Sequence, residues 1–331
     1  MEKMEIKDTK ILVTGVNDLV GLHLMSVLRS LGAKLVGIGD LHEDLGSLNY
    51  LENEIVRFKP SIIFHVPGHR YGIAVHHNNP GDVYYESIVI FSHLLEAARK
   101  AKVSKIVNVL SNCVYPEEIE IPHKETDIWL GLPEKTLIPH GMARRVSIIH
   151  GNAYRKQHDI NTISIVLASV YGPNDNFNPK SSQVMAAMIQ RFVEATDNKL
   201  DKVVSWGTGR PKREFIHVND AVHGLILSAI YYNEEVPLNI GTQQEYSIKE
   251  VTEIVAKCAG FLGEIEWDTT KPDGRERVCL DCSRMKSLLP PWENQSLGSG
   301  IQSPSNLLTI STTISRISSG VFSCNSMSLS S

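Results

Sequence analysis

Ile11-Leu-Val-Thr-Gly-Val-Asn-Asp-Leu-Val-Gly21, continued by Leu-His-Leu-Met-Ser-Val-Leu-Arg-Ser-Leu31, is the stretch that decides the fold. Ile11 to Thr14 is a short apolar run of the kind that forms a buried strand. Leu19 to Leu31 then places apolar residues at three- and four-residue steps, the period of a helix packed on one face. Between them lies a turn holding Gly15 and Gly21, and a glycine-bearing turn is informative only in this context, after a strand and opening a helix. Glycine lets the backbone approach a pyrophosphate, whose charge then meets the amides and dipole at the helix start. Gly15, Asp18, Leu19, Val20 and Gly21 are the residues expected on that side of a dinucleotide. A carboxylate at Asp18 should repel a phosphate if it points inward.

The same rhythm continues outward. Lys34 to Ile38, Ser61 to Val66, Lys105 to Leu110 and Asn161 to Leu167 read as further buried strands, separated by helices near Leu48 to Phe58, Val83 to Ala101 and Ala143 to Gln157. Repeated β-α-β units imply an α/β fold with a Rossmann-type, doubly wound parallel sheet. Beyond Gly172 the pattern changes to a helix at Val184 to Ala195, short strands near Val203 and Phe215, and a helix at Ala221 to Tyr232. The expected organisation is a dinucleotide-binding domain over 8–172 and a smaller C-terminal α/β substrate lobe over 173–292, with the chain crossing between them. From about Asn294 onward roughly a third of the residues are serine and Arg316 is the only charge, so 293–331 is expected to be poorly ordered.

The composition narrows the function classes. A chain of 331 residues with a net charge of -4 presents no broad positive field, which argues against nucleic acid or an anionic membrane surface as the main partner. No run of about 18 apolar residues is present, so a membrane span lacks support, and the mixed-charge start M-E-K-M-E-I-K-D does not read as a secretory leader. The five cysteines, Cys113, Cys258, Cys279, Cys282 and Cys324, lack a disulfide framework spacing and point to reduced thiols in the cytoplasm. Cys279-Leu-Asp-Cys282 has the gap of a zinc knuckle but no second ligand pair at a fitting distance, so no metal is expected.

Tyr171-Gly-Pro-Asn-Asp-Asn-Phe-Asn178 and Trp206-Gly-Thr-Gly-Arg-Pro-Lys-Arg-Glu-Phe-Ile-His-Val-Asn-Asp220 carry a resemblance. Together they resemble the GDP-L-fucose synthases, nucleotide-sugar epimerase/reductases of the extended short-chain dehydrogenase/reductase superfamily, and the resemblance spans roughly Lys10 to Leu289. It implies that Asn176, Phe177, Arg191, Trp206 and Arg213 face a GDP-sugar, with the guanidinium groups on the diphosphate and the indole offering a flat wall. It also implies a homodimer through a four-helix contact between the helices near Val83 to Ala101 and Ala143 to Gln157. The resemblance stops after Pro290-Pro-Trp-Glu293, where the family ends in a charged amphipathic helix; an altered reading frame or splice would produce such an end.

Against the family's G-x-x-G-x-x-G turn, Gly15 and Gly21 match and Asp18 replaces the middle glycine. The family implies NADP(H), yet Asp40, at the end of the second strand, could accept hydrogen bonds from the ribose hydroxyls of NAD(H) and would repel a 2′-phosphate. Asp44-Leu45 resembles the superfamily's adenine-contacting pair, and His65-Val-Pro-Gly68 replaces its His-Leu-Ala-Ala.

Reduction of a 4-keto sugar needs a hydride and a proton for the developing alkoxide, which the superfamily supplies from a tyrosine tuned by a lysine four residues on. None of the ten tyrosines here has Lys at that spacing. Instead Pro139-His140-Gly-Met-Ala-Arg144 occupies the site, with His140 as the expected proton donor and Arg144 as the charge beside the cofactor ribose. Ser111-Asn-Cys113 matches the family's Ser-Ser-Cys, so Ser111 is expected to bind the keto oxygen and Cys113 to be the base. Gln183 stands where the family has an acidic histidine, and an amide cannot deliver a proton, so epimerisation should be weak. The expected function is NAD(P)H-dependent reduction of a GDP-4-keto-6-deoxyhexose, with a non-catalytic GDP-sugar-binding or regulatory subunit as the rival.

Overall fold

The computed structural model describes residues 5–39, 47–67, 78–178, 181–292, 294–295 and 297–302. Asp40, Asp44, Leu45 and most of the serine-rich end lie outside them. The chain opens with β1 (Lys10–Thr14), α1 (Leu19–Ser30), β2 (Lys34–Ile38), α2 (Leu48–Phe58), β3 (Ile62–His65), α3 (Pro80–Lys100), β4 (Lys105–Ser111), α4 (Ile138–His158) and β5 (Asn161–Leu167). There follow β6 (Ser169–Tyr171), α5 (Val184–Asp197), β7 (Lys202–Trp206), β8 (Lys212–His217), α6 (Val218–Tyr231) and β9 (Leu238–Ile240). The last elements are β10 (Glu245–Ser247), α7 (Ile248–Ala259), β11 (Glu264–Asp268), β12 (Arg277–Val278), α8 (Ser283–Leu288) and α9 (Leu297–Gln302).

A six-stranded parallel sheet runs in the order β2-β1-β3-β4-β5-β9. Helices cover both faces, which is why β3 and most of β4 and β5 are buried along their length and read as unbroken apolar runs. One face packs Leu24 and Leu28 of α1 with Leu225 and Ala229 of α6, and the other packs Leu51 and Ile55 of α2 with Leu94 and Leu95 of α3. The chain moves outward from β1 to β2 and then returns to the other side of β1 for β3. The crossovers diverge there, leaving a crevice at the carboxyl ends of the strands, the place where ligands bind in open parallel sheets.

A second core gathers Tyr171, Phe177, Met185, Phe192, Phe215, Val251 and Val255, built from α5, α7 and the smaller sheets in which β8 pairs with β6, β10 and β12. Three expectations change here. The helix read at Ala221 to Tyr232 as part of the smaller lobe packs against α1 and the main sheet, and β9 completes that sheet, so the chain returns to the first core after leaving it. The helix expected near Ala143 begins at Ile138, because Pro139 supplies a preset φ in the first turn, where a missing N–H costs nothing. The expected loss of order after Asn294 does not extend to α9. Leu297 and Ile301, one helical turn apart, are buried in the second core against α7 and β8.

Lys105 is a cation inside the first core, 1% exposed, and donates to the carbonyls of Ala229 (2.6 Å) and Tyr232 (2.7 Å) and to Asn233 Oδ1 (2.9 Å). It thereby satisfies carbonyls at the end of α6 that have no helical partner. Burial, with the Arg155 guanidinium nearby, pulls its pKa down to about 8, so it is still an ammonium at neutral pH. Lys105→Met should cost about 2–4 kcal/mol by orphaning these acceptors. Because the folded pKa lies below that of a free lysine, the unfolded chain holds more protons between pH 8 and 10.5. The stability of the wild type relative to Lys105→Met should therefore rise with pH across that window. Urea melts of the two proteins at pH 7, 9 and 10 check both statements, and a flat difference would remove the second.

Candidate functional site

The crevice is built at the ends of β1, β3, β4 and β5. After β1, Gly15 takes φ +66°, and α1 leaves so close to the strand that a Cβ on Gly21 would stand 2.0 Å from the Gly15 carbonyl oxygen. The turn therefore needs glycine at both places. Thr14 Oγ1 donates to the Val66 carbonyl (3.1 Å) and lies 3.0 Å from His65 Nδ1, tying the ends of β1 and β3 together. Asp18 is the N-cap residue of α1 with extended backbone, but its side chain does not cap the helix. Leu19 and Val20 fill the first turn and are buried. A cavity of about 410 Å³ opens here, and Asp18, Val20, Val66 and Pro67 line it on the α1 side. The close glycine turn and the α1 start on this cavity fit a dinucleotide pyrophosphate.

On the opposite side the lining is chemical. Ser111 ends β4, and the short turn Asn112–Val114 brings the Ser111 Oγ to 2.9 Å from Cys113 Sγ. His140 and Arg144 enter from α4, one helical turn apart, and Gln183 enters as the N-cap residue of α5. The structure thus brings Ser111, Cys113, His140, Arg144 and Gln183 together in one cavity with Asp18 and Val20. Burial pushes the Cys113 thiol above its ordinary pKa, while the hydrogen bond with Ser111 and the Arg144 charge oppose that shift. Burial lowers the Arg144 pKa, with Cys113 pulling the other way. His65, 2% exposed, is pushed down to about 3 by burial and by Arg144, which makes it a neutral wall and not an acid.

Two residues that the sequence reading passed over hold this arrangement. A Cβ on Gly141 would fall 2.5 Å from the Cys113 carbonyl oxygen, so α4 presses directly on the cysteine loop. Arg145, 4% exposed, donates from Nε to the Val114 carbonyl (2.7 Å) and from Nη1 to the Gly131 carbonyl (2.6 Å), fastening the same loop to the helix. The available signal was Arg144-Arg145 at the head of the apolar run Val-Ser-Ile-Ile, where at least one cation has to turn inward.

The expected sugar-nucleotide residues lie on the smaller lobe and do not line this cavity. Asn176 donates to Ser181 Oγ (2.9 Å) and accepts from the Asn178 amide (3.0 Å), while Phe177 is packed in the second core, 9% exposed. Phe177 therefore shapes its loop from beneath, because its apolar ring is claimed by the surrounding methionines and aromatics. Arg191 is exposed on α5 and reaches the Val204 carbonyl (3.3 Å). Trp206, at the end of β7, is 67% exposed with the Lys271 ammonium 5.8 Å over its ring. Arg213 bonds the Lys212 carbonyl (2.8 Å), and burial together with the nearby Arg275 guanidinium lowers its pKa. Arg275, absent from the sequence expectation, donates to the carbonyls of Pro116 (2.8 Å) and Glu117 (3.2 Å), just beyond the cysteine turn. The next strand residue, Glu214, fixes β8 by accepting from the amides of Thr242 (2.6 Å), Gln243 (2.7 Å) and Leu280 (2.7 Å).

Among the described residues no group of three or more His, Cys, Asp or Glu side chains could hold a metal, and no helix is long and apolar enough to cross a membrane.

The model of the NAD dependent epimerase/dehydratase family matches residues 11–241. The chain is similar to putative GDP-L-fucose synthase 2 of Arabidopsis thaliana, 34% identical over 283 residues, covering 85% of this chain and 86% of that one. Its fold is shared by a GDP-L-fucose synthetase from Naegleria fowleri, with a TM-score of 0.85 at 22% identity, covering 93% of this chain and 95% of that one. It is also similar to a GDP-mannoheptose C4 reductase from Campylobacter jejuni with NADP bound, with a TM-score of 0.82 at 26% identity, covering 93% of this chain and 99% of that one. The parallel sheet with its glycine turn, the family match across both cores and the extent of the plant likeness together make this chain a member of the NAD dependent epimerase/dehydratase family.

Proposed function

We propose that the protein is an NADPH-dependent GDP-sugar epimerase/reductase, acting on a GDP-4-keto-6-deoxyhexose. The observation that carries this reading is the single cavity at the strand ends that holds Ser111, Cys113, His140 and Arg144 beside the α1 turn. The relatives named above are called synthases and reductases of GDP-sugars, which favours an enzyme over a binding subunit. In this reading Gly15, Gly21 and the α1 start hold the cofactor pyrophosphate, Asp18 turns its carboxylate aside, and Arg144 lies by the ribose. NADP(H) is preferred because one of these relatives carries NADP, and Asp40, which argued for NAD(H), lies outside the described residues. The bound nicotinamide supplies the hydride. Ser111 orients the keto oxygen and His140 delivers the proton, while Cys113 is the base for the carbons beside the ketone. Gln183 supplies no proton from its side, so the epimerase step is the weaker one.

On the smaller lobe, Trp206 offers an open indole face, and Arg191 and Arg213 supply guanidinium groups for the diphosphate. GDP should raise the melting temperature of the purified protein, and NADPH should be consumed on adding a GDP-4-keto-6-deoxyhexose. Arg213→Gln should weaken GDP about 10- to 100-fold by removing charge-assisted hydrogen bonds. A melting temperature indifferent to saturating GDP would end the assignment. We also place two copies in contact through α3 and α4, a pairing supported by the exposed Tyr85 and Ile149 on those helices, and sedimentation of the same sample at twice the chain mass would agree with it. Cytoplasmic residence is supported by the free thiols of Cys113, Cys258, Cys279 and Cys282, and recovery of the protein in the membrane fraction of lysed cells would oppose it.

A further inference from the structure

Arg144 is a cation without a counter-charge. The residue is 8% exposed and lines the reaction cavity, and although its carbonyl accepts from Ser147 Oγ (2.7 Å), its guanidinium makes no hydrogen bond or ion pair among the described residues. The contrast with its neighbour is direct, since Arg145 spends its donors on the carbonyls of Val114 and Gly131. The groups that feel the Arg144 charge do not neutralise it: burial keeps Cys113 toward its thiol form, and His65 is neutral. Asp18 lines the α1 side of the same cavity. A ribose hydroxyl accepts a hydrogen bond but brings no charge. A buried guanidinium without an opposite charge is unfavourable unless an anion reaches it at some stage.

The turn of α4 that carries it lies against the cysteine loop, as the 2.5 Å approach at Gly141 shows, and Arg144 and Cys113 line the same cavity. We propose that Arg144 is the oxyanion receptor of this cavity, holding the negative charge that develops on the keto oxygen when the carbon beside it is deprotonated. This role rests on the GDP-4-keto sugar reading above and adds to it a residue and a charge state. Cys113 gives its thiol proton to solvent, and the thiolate takes a proton from the carbon next to the ketone. The C–H electron pair becomes the C=C bond of an enolate, and the carbonyl π pair moves onto oxygen, where Arg144 meets it. Return of a proton from the thiol restores the ketone. A charge fixed before reaction stabilises such an oxyanion without having to reorganise. Lysine can do this only as a point charge, whereas the planar fork offers two parallel N–H donors.

The test needs no nicotinamide. The full-length protein is incubated in D2O with a GDP-4-keto-6-deoxyhexose, and loss of the C3 and C5 proton signals is followed by NMR. The wild type should exchange them, and Arg144→Gln should slow the exchange at saturating substrate about 10²–10³-fold, the usual cost of one oxyanion donor. The concentration of half-saturation should stay nearly unchanged, and Arg144→Lys should recover part of the rate. A GDP-induced melting shift equal to the wild type's shows that each variant is folded and still reads the nucleotide. Exchange by Arg144→Gln at the wild-type rate overturns the proposal while leaving GDP recognition standing, and so does an absence of exchange in a wild type that binds GDP. Loss of the GDP shift in the wild type overturns the functional reading itself.

Discussion

His140→Ala lowers the turnover of a GDP-4-keto sugar by about 10²–10⁴, the range for loss of a positioned general acid. The expectation rests on where α4 begins. Pro139 starts the helix early enough to place His140 in its first turn, inside the cavity that holds Ser111 and Cys113 and one turn before Arg144. Among the described residues that line the cavity none is a tyrosine, and His140 is the imidazole that faces it. Imidazole is the side chain whose ordinary pKa lets it give a proton near neutrality. The loss should appear in kcat, with the GDP-induced melting shift unchanged, because Trp206 and Arg213 belong to the other lobe. His140→Tyr restores a hydroxyl donor and should retain more activity than the alanine variant. Steady-state kinetics of the three proteins decide the matter: an alanine variant within threefold of the wild type would show that the proton comes from elsewhere.

Gly21→Ala costs about 3 kcal/mol or more and weakens cofactor binding, although it adds one methyl group. That methyl would lie 2.0 Å from the Gly15 oxygen and 2.7 Å from the Gly15 carbon, both backbone atoms that no side-chain rotation can move. Gly15 is itself held at φ +66°, so the turn cannot yield without pulling α1 away from β1. Gly81→Ala is the control. A Cβ there meets nothing within 4 Å, in the first turn of α3, and the change should stay within about 0.5 kcal/mol. Urea midpoints of the two variants are compared; equal midpoints would mean that the close approach of α1 to β1 is not maintained in solution.

Much of the fold was legible in the residues because the driving patterns are local. The apolar run at Ile11, the glycine turn and the helical stepping to Leu31 specify β1 and α1, and each later strand of the main sheet up to β5 was visible as an apolar run bounded by helix. Where α6 and β9 end up was not legible. Ala221, Val222 and Leu225 report only that the helix is buried, and either core offers apolar surface; the choice depends on the surfaces presented by α1 and the main sheet. Likewise Leu297 and Ile301 are too few to announce a helix in a serine-rich setting until the groove beside α7 is there to bury them.

The chemistry of the site divides in the same way. Residue types and spacings by themselves determined which groups are available: a histidine and an arginine four apart, a serine two before a cysteine, and a tryptophan with arginines farther on, while the family resemblance marked Gln183 as standing where an acid was expected. Only the tertiary structure decided that Ser111, Cys113, His140, Arg144 and Gln183 meet in one space, that Phe177 turns into a core, and that Arg145 is spent on carbonyls while Arg144 is left facing the cavity. The physical reason is that periodicity and propensity act over one or two turns of chain. Burial, charge pairing and the distance between two loops depend on how strands far apart in sequence are ordered in the sheet, so neighbours as alike as Arg144 and Arg145 acquire opposite roles from a rotation of one residue about the helix.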